Sequence, residues 1–258
     1  MIRIALATLT AVFCAGGALA VQPVPTRVEA EGPMLKVTMS DGRVLKSPDL
    51  VGAVLTIRDE QGAVRRVKLA GLRDDPGDRS HSIKLHDFQV EIAPGEWRPY
   101  CQKWSADGTQ AGIPMATADG GFELVCTAGS KVKCVRFGYA PWLNTPDGQS
   151  MRPLWEACNR MVRADYGGKG EATTLDGQLI DMYDTHRIQT PDMLRGHGFE
   201  AGWGPDGAVC VNHVRVKQNT SLEELERKYP RLVGRTGAIC TEEFARAHGA
   251  ILFNRSKL

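Results

Sequence analysis

Cysteine placement constrains this chain more than any other feature. Seven cysteines occur in 258 residues, and six of them lie after residue 100: Cys101, Cys126, Cys134, Cys158, Cys210 and Cys240. The seventh, Cys14, falls in a stretch that reads as a secretory signal peptide over residues 1–20. Arg3 supplies its positive start, Ile4 to Cys14 its apolar run, and Ala18-Leu19-Ala20 the small-x-small cleavage site. The run is shorter than the roughly 20 residues a membrane span requires. Bulky Phe13 ahead of Cys14 argues against lipid attachment there. Cleavage would leave an even six cysteines, which an oxidising compartment joins into disulfides. Six cysteines allow fifteen pairings, and their positions alone do not choose among them. No two stand two to four residues apart as structural zinc sites prefer, so no metal or other cofactor is expected.

The rest of the composition is ordinary for a globular protein, with 42% hydrophobic and 24% charged residues. Disordered, collagenous and coiled-coil chains are thereby excluded. Lys plus Arg number 32 against 30 Asp plus Glu, which leaves no basic field for nucleic acid. No further apolar run is long enough to remain in a membrane after cleavage.

Local patterning predicts an α+β protein: a small all-β N-terminal unit followed by a disulfide-stapled mixed α/β domain. Residues 21–33 carry three prolines and no apolar period, and read as a linker. Residues 34–94 read as β-rich. Leu35 to Met39 alternates, Asp41-Gly42 turns the chain, and the runs Ala53–Ile57, Val64–Leu69 and Ser82–Ile92 continue the pattern. Residues 95–258 form the mixed domain. Its best helix is Pro153–Tyr166, with Leu154, Ala157, Cys158, Met161 and Val162 at helical spacing and Gly167-Gly168 as the stop. Gln178–Tyr183 and Phe199–Val216 read as strands, the latter a hairpin turned at Pro205-Asp206-Gly207. A capping box at Ser221 and Glu224 opens a second helix, and a third runs from Thr241 to His248. Asp-Gly pairs at 119, 147, 176 and 206 are nearly evenly spaced, but their flanks differ, so they read as turns rather than repeats. Cys210 on the hairpin and Cys240 ahead of the last helix are expected to pair, with Cys158 as the competing partner.

From Gly95 onward the residues follow a recognisable order. It begins with Gly95-Glu96-Trp97, Cys101, Phe122-Glu123-Leu124-Val125-Cys126-Thr127 and Lys133-Cys134-Val135-Arg136-Phe137-Gly138-Tyr139-Ala140-Pro141-Trp142. Its centre is Ala157-Cys158-Asn159-Arg160-Met161-Val162-Arg163-Ala164-Asp165-Tyr166. It continues through Ile180-Asp181-Met182-Tyr183-Asp184, Asp206-Gly207-Ala208-Val209-Cys210 and Leu252-Phe253-Asn254-Arg255-Ser256. In this the chain resembles the ADYC-domain family of exported bacterial proteins. The resemblance implies no particular reaction. It does expose one departure, for the cysteine that closes the motif is replaced by Gly167. A family nucleophile there would be lost in this chain; a disulfide partner lost there is compatible with the remaining even six.

Candidate chemistry is sparse. Gly-x-Ser-x-Gly and His-Glu-x-x-His are both missing. Cys158 could serve as a thiolate, but its place late in a helix gives its ionisation no help from the helix dipole. Asp181, Asp184 and His186 lie close in sequence, with Asp165 a possible companion, yet on a strand Asp181 and Asp184 point to opposite faces. Asp165 with Asp181 or Asp184 could act as paired acid and base on a glycosidic bond. The blander reading makes Asp165 an ion-pair partner of neighbouring Arg160 or Arg163. Gly167-Gly168-Lys169-Gly170 lacks the spacing of a phosphate loop. Trp142 and Trp203 adjoin Pro or Gly turns and read as surface platforms. Arg163, Asp165 and Tyr166 form the expected architectural centre, with Arg163 paired to Asp181 or Asp184 and Tyr166 buried.

The expectation is therefore an exported module, periplasmic or extracellular, that binds a cell-envelope polymer or protein and is not an enzyme. The alternative is an envelope polysaccharide or peptidoglycan hydrolase using Asp165, Asp181, Asp184 or His186.

Overall fold

A computed structural model describes residues 8–9, 23–58, 62–78, 82–117 and 119–258. The signal-peptide reading falls on residues outside these, apart from the two-residue strand β1 (Thr8–Leu9). The protein is α+β, with antiparallel sheets, a few helices and three disulfides. It divides into two compact units, residues 1–133 and 134–258.

The first unit is built from two antiparallel sheets. A three-stranded sheet orders β2 (Pro25–Glu31), β3 (Met34–Met39) and β4 (Val44–Lys46). The second sheet runs β1, β5 (Val54–Arg58), β6 (Val64–Asp74), β7 (Lys84–Ala93), β9 (Gly112–Ala116) and β10 (Phe122–Cys126), and β8 (Glu96–Pro99) also pairs with β7. Period-two alternation explains why these segments are strands. Leu35, Val37 and Met39 point one way along β3 and bury, with Leu55 and Ile57 doing the same on β5. These side chains join Val67, Leu69, Phe88, Phe122 and Leu124 in one core.

Two expectations change here. Residues 25–31 form a strand, not a linker, because Val28 and Ala30 alternate with Arg27, Glu29 and Glu31. The two apolar residues pack against the core, while Lys36 and Lys46 bind Glu31. The β-rich unit also does not stop at residue 94, since β9 pairs with β7 and carries β10 with it. The first disulfide, Cys101–Cys126, ties the loop after β8 to the end of β10.

α1 (Ser130–Arg136) crosses the division between the units. In the second unit α2 (Arg152–Arg163) buries Leu154, Trp155, Ala157, Cys158 and Met161 on one face. A four-stranded antiparallel sheet follows the order β11 (Asp181–Asp184), β14 (Leu252–Lys257), β12 (His197–Gly204) and β13 (Gly207–Val211). α3 (Leu222–Lys228) begins at Ser221, whose hydroxyl accepts the Glu224 amide, and α4 (Glu242–Ala247) begins at Thr241 in the same way. Cys134 bridges to Cys158 from α1 to α2, and Cys210 bridges to Cys240. The Asp-Gly pairs at 119, 147, 176 and 206 all sit at turns.

Candidate functional site

The turn after α2 gathers most of the residues the sequence singles out. α2 ends at Arg163, three residues before the expected stop, because Ala164 adopts a left-handed φ of 50° and its amide closes on Arg160 and Met161. Asp165, fully buried, follows at once. Its Oδ2 accepts the Arg160 guanidinium at 2.7 Å and the Gly170 amide at 2.8 Å, while Oδ1 accepts the Lys169 amide at 3.1 Å. That carboxylate organises the loop leaving the helix. Arg163 pairs with neither Asp181 nor Asp184; its guanidinium donates to the Gly170 carbonyl instead. Arg160 is placed to reach Asp165, so it takes the ion-pair role.

Tyr166 enters a buried polar network that connects the helix end to the sheet. Its hydroxyl donates to Glu200 Oε1 at 2.9 Å and accepts the Arg215 amide at 2.9 Å. The Arg215 guanidinium grips both Glu200 oxygens at 3.0 Å and donates to the carbonyls of Met161 and Val162. Those are carbonyls at the end of α2, which a helix leaves without internal partners. Asn254 donates to Glu200 at 2.7 Å and accepts the Trp203 indole at 2.8 Å, and the Trp203 ring stacks on Tyr166. Trp203 is wholly buried and is no surface platform, while Trp142 is half-buried. Burial, then the nearby Glu200 carboxylate, pushes the Tyr166 hydroxyl well above the usual phenol range.

Gly167 and Gly168 are needed for space. A Cβ at Gly167 would lie 2.1 Å from Tyr229 Cζ, so the Tyr229 ring fills the volume that a cysteine here would need. A Cβ at Gly168, where φ is +69°, would lie 1.8 Å from the Asp206 carbonyl oxygen. Arg231 fastens the same crossing by donating to the carbonyls of Tyr166, Asp206 and Ala208.

The remaining carboxylate candidates are held apart. Asp181 is buried and accepts the amides of Asp192 and Met193 at 2.8 and 3.1 Å. Asp184 accepts the amides of His186, Ile188 and Gln189, and the Tyr139 hydroxyl at 3.0 Å. Burial first, then the Asp184 carboxylate, pushes the Tyr139 hydroxyl well above the usual phenol range. His186 faces Asp147 at 3.2 Å. Among the described residues no three His, Cys, Asp or Glu side chains converge as a metal site.

One close pairing escaped the sequence reading. His86 Nε2 lies 2.7 Å from Ser47 Oγ, and its Nδ1 donates to the Lys84 carbonyl at 3.0 Å. The geometry resembles a nucleophile and its base, but both residues are fully buried and Ser47 Oγ also accepts the Leu35 amide. Burial holds the imidazole neutral, with a pKa lowered to about 4. The pair is sealed core.

A concavity on this unit opens beside Tyr183 and Asp184. It is a groove of about 610 Å³, bordered by the loop from Thr185 to Met193, by α4 and by Arg255 of β14. Arg187, Arg246 and Arg255 line it. Glu242 binds Arg246 at 2.7 Å and accepts the Tyr183 hydroxyl at 2.6 Å. Burial raises the Glu242 pKa, but these two partners outweigh it and hold the carboxyl below its ordinary range.

Comparison with known proteins places this arrangement in a family. No curated protein and no solved structure matches the chain. The family model of the ADYC domain matches residues 47–217, which include α2, the turn through Asp165 and Tyr166, and both partners of the Glu200–Arg215 pair. With two-thirds of its length so matched, this chain belongs to the ADYC-domain family.

Proposed function

We propose that the chain is an exported, disulfide-stapled module of the cell envelope that binds a polymer or partner protein and performs no hydrolysis. The observation that carries this reading is the engagement of each candidate carboxylate. Asp165, Asp181 and Asp184 spend their oxygens on local amides, one arginine and one tyrosine, whereas paired acid–base chemistry requires two carboxyls facing a common substrate. Three disulfides suit a chain that works in an oxidising compartment, periplasmic or extracellular, after losing residues 1–20. Among the described residues no helix is long and apolar enough to cross a membrane.

The test combines co-sedimentation with insoluble envelope material and an assay for released sugar or peptide fragments. Binding without release is expected. Asp165→Asn should also lower the melting temperature, because the loop amides lose a charged acceptor. Fragment release that Asp165→Asn abolishes, with no loss of stability, would restore the hydrolase alternative.

A further inference from the structure

The geometry points to the groove beside Tyr183 as an oxyanion site, one that takes a carboxylate or phosphate borne on a polymer chain. The inference deepens the binding-module reading and rests on it. Charge accounting inside the groove is the starting point. Two carboxylates line it, and neither forms an ion pair with Arg187 or Arg255, although the Arg255 charge reaches Glu242 from a distance. Asp184 is turned inward onto three amides and the Tyr139 hydroxyl, and Glu242 is committed to Arg246 and Tyr183.

Arg255 is held in an unusual state. Its Nη1 donates to the Met193 thioether at 2.7 Å, and its Nε is buried without a partner. A thioether is a weak acceptor, whereas a guanidinium fork matches the two oxygens of a carboxylate or phosphate. The sulfur therefore occupies the place of a better acceptor. Met193 is also easy to displace. It is 64% exposed, and its backbone sits at a left-handed φ of 54°, a conformation costly for an unbranched non-glycine residue.

Arg187 faces the same groove from the other end of the loop, with φ at 61°. It is exposed and has no ion-pair partner among the described residues. Strained positions of this kind gather at ligand clamps, and here both belong to one loop whose turn is fastened by Asp181 and Asp184. The Arg246 guanidinium sits over the Phe253 ring at 4.2 Å from its centre, which helps hold it in place. The rim at Thr185, Thr190 and Pro191 is exposed, so a group on a longer chain can enter.

The experiment uses the disulfide-intact chain with polygalacturonate as a carboxylate polymer, polyphosphate as a phosphate polymer, and dextran as a neutral control, read by calorimetry. Saturable binding to at least one polyanion is expected, and which one binds separates the two sources. Arg255→Gln should weaken it by about tenfold or more, as should Arg187→Gln, whose exposed side chain leaves folding unaffected. Equal binding of dextran, unchanged affinity in both variants, or no binding of either polyanion would overturn the site. If envelope material still co-sediments while both polyanions fail, the groove inference falls and the binding-module reading stands. Polyanion binding without envelope binding has the reverse meaning.

Discussion

Restoring the family cysteine at Gly167 should destabilise this chain, and the cause should be Tyr229. A Cβ at 167 would lie 2.1, 2.2 and 2.6 Å from Cζ, Cε1 and Cε2 of the tyrosine. Ordinary carbon contacts are about 3.5 to 4 Å, so the ring must retreat by more than about 1 Å. Its hydroxyl binds Glu171 at 2.9 Å, which resists that retreat. Overpacking of this kind costs about 1 to 3 kcal/mol. For a chain of this size each kcal/mol lowers the melting temperature by about 2 to 4 °C. Gly167→Ser introduces the same Cβ without adding a thiol and should behave alike. Tyr229→Ala removes the obstacle, so the double variant Gly167→Ser/Tyr229→Ala should be more stable than the two single effects predict when added. The coupling should be about 0.5 to 3 kcal/mol. Thermal melts of the four proteins under non-reducing conditions measure it. If Gly167→Ser melts with the parent, or the cycle shows no coupling, then Tyr229 does not account for the missing cysteine.

Three further outcomes are expected. His86 is buried with its pKa lowered to about 4, so the unfolded chain takes up a proton below about pH 6.5 that the folded chain refuses. Stability should therefore fall by up to about 1.4 kcal/mol per pH unit between 6.5 and 4, and denaturant melts should show a shallower slope in His86→Gln. Glu200→Gln leaves the buried Arg215 guanidinium uncompensated and should cost about 3 to 5 kcal/mol, against about 1 to 3 for Tyr166→Phe; a Glu200→Gln melt equal to the parent would remove the network from its central role. Replacing Cys134 and Cys158 together by alanine should cost about 2 to 5 kcal/mol, and the parent protein should show no alkylatable thiol before reduction by mass spectrometry.

Much of the architecture was legible where neighbours in sequence are neighbours in space. The alternation of Leu35, Val37 and Met39, the buried stripe of α2 and the Ser221 cap are all local signals. The strand at residues 25–31 was hidden by its prolines, and it earns its place only when Lys36 and Lys46 arrive to bind Glu31. The site was less legible for the same reason. Tyr166 could be expected to bury its hydroxyl, but its acceptor Glu200 and the clamp Arg215 come from strand register and a later loop, which no short window reports. Arg163 looked equivalent to Arg160 until the left-handed Ala164 turned Asp165 back toward the latter. The contact between Gly167 and Tyr229 joins residues with no pattern in common. Arg187 and Arg255 gave no signal, since arginine on a balanced surface is commonplace; only the lack of a direct ion pair to either sets them apart.

The connectivity of the bridges has a consequence for how such a chain matures. Cys101 joins Cys126, Cys134 joins Cys158, and Cys210 joins Cys240, so each cysteine pairs with its immediate successor and no bridge encloses or crosses another. A polypeptide threaded amino-end first through a membrane meets its oxidant one thiol at a time. On the proposed export, with Cys14 lost among residues 1–20, the first thiol of each bridge waits only for the next one, after 24 to 30 residues. Oxidation in order of emergence therefore yields the native set directly. On the proposed export, an isomerase that reshuffles wrong pairs would have little to correct.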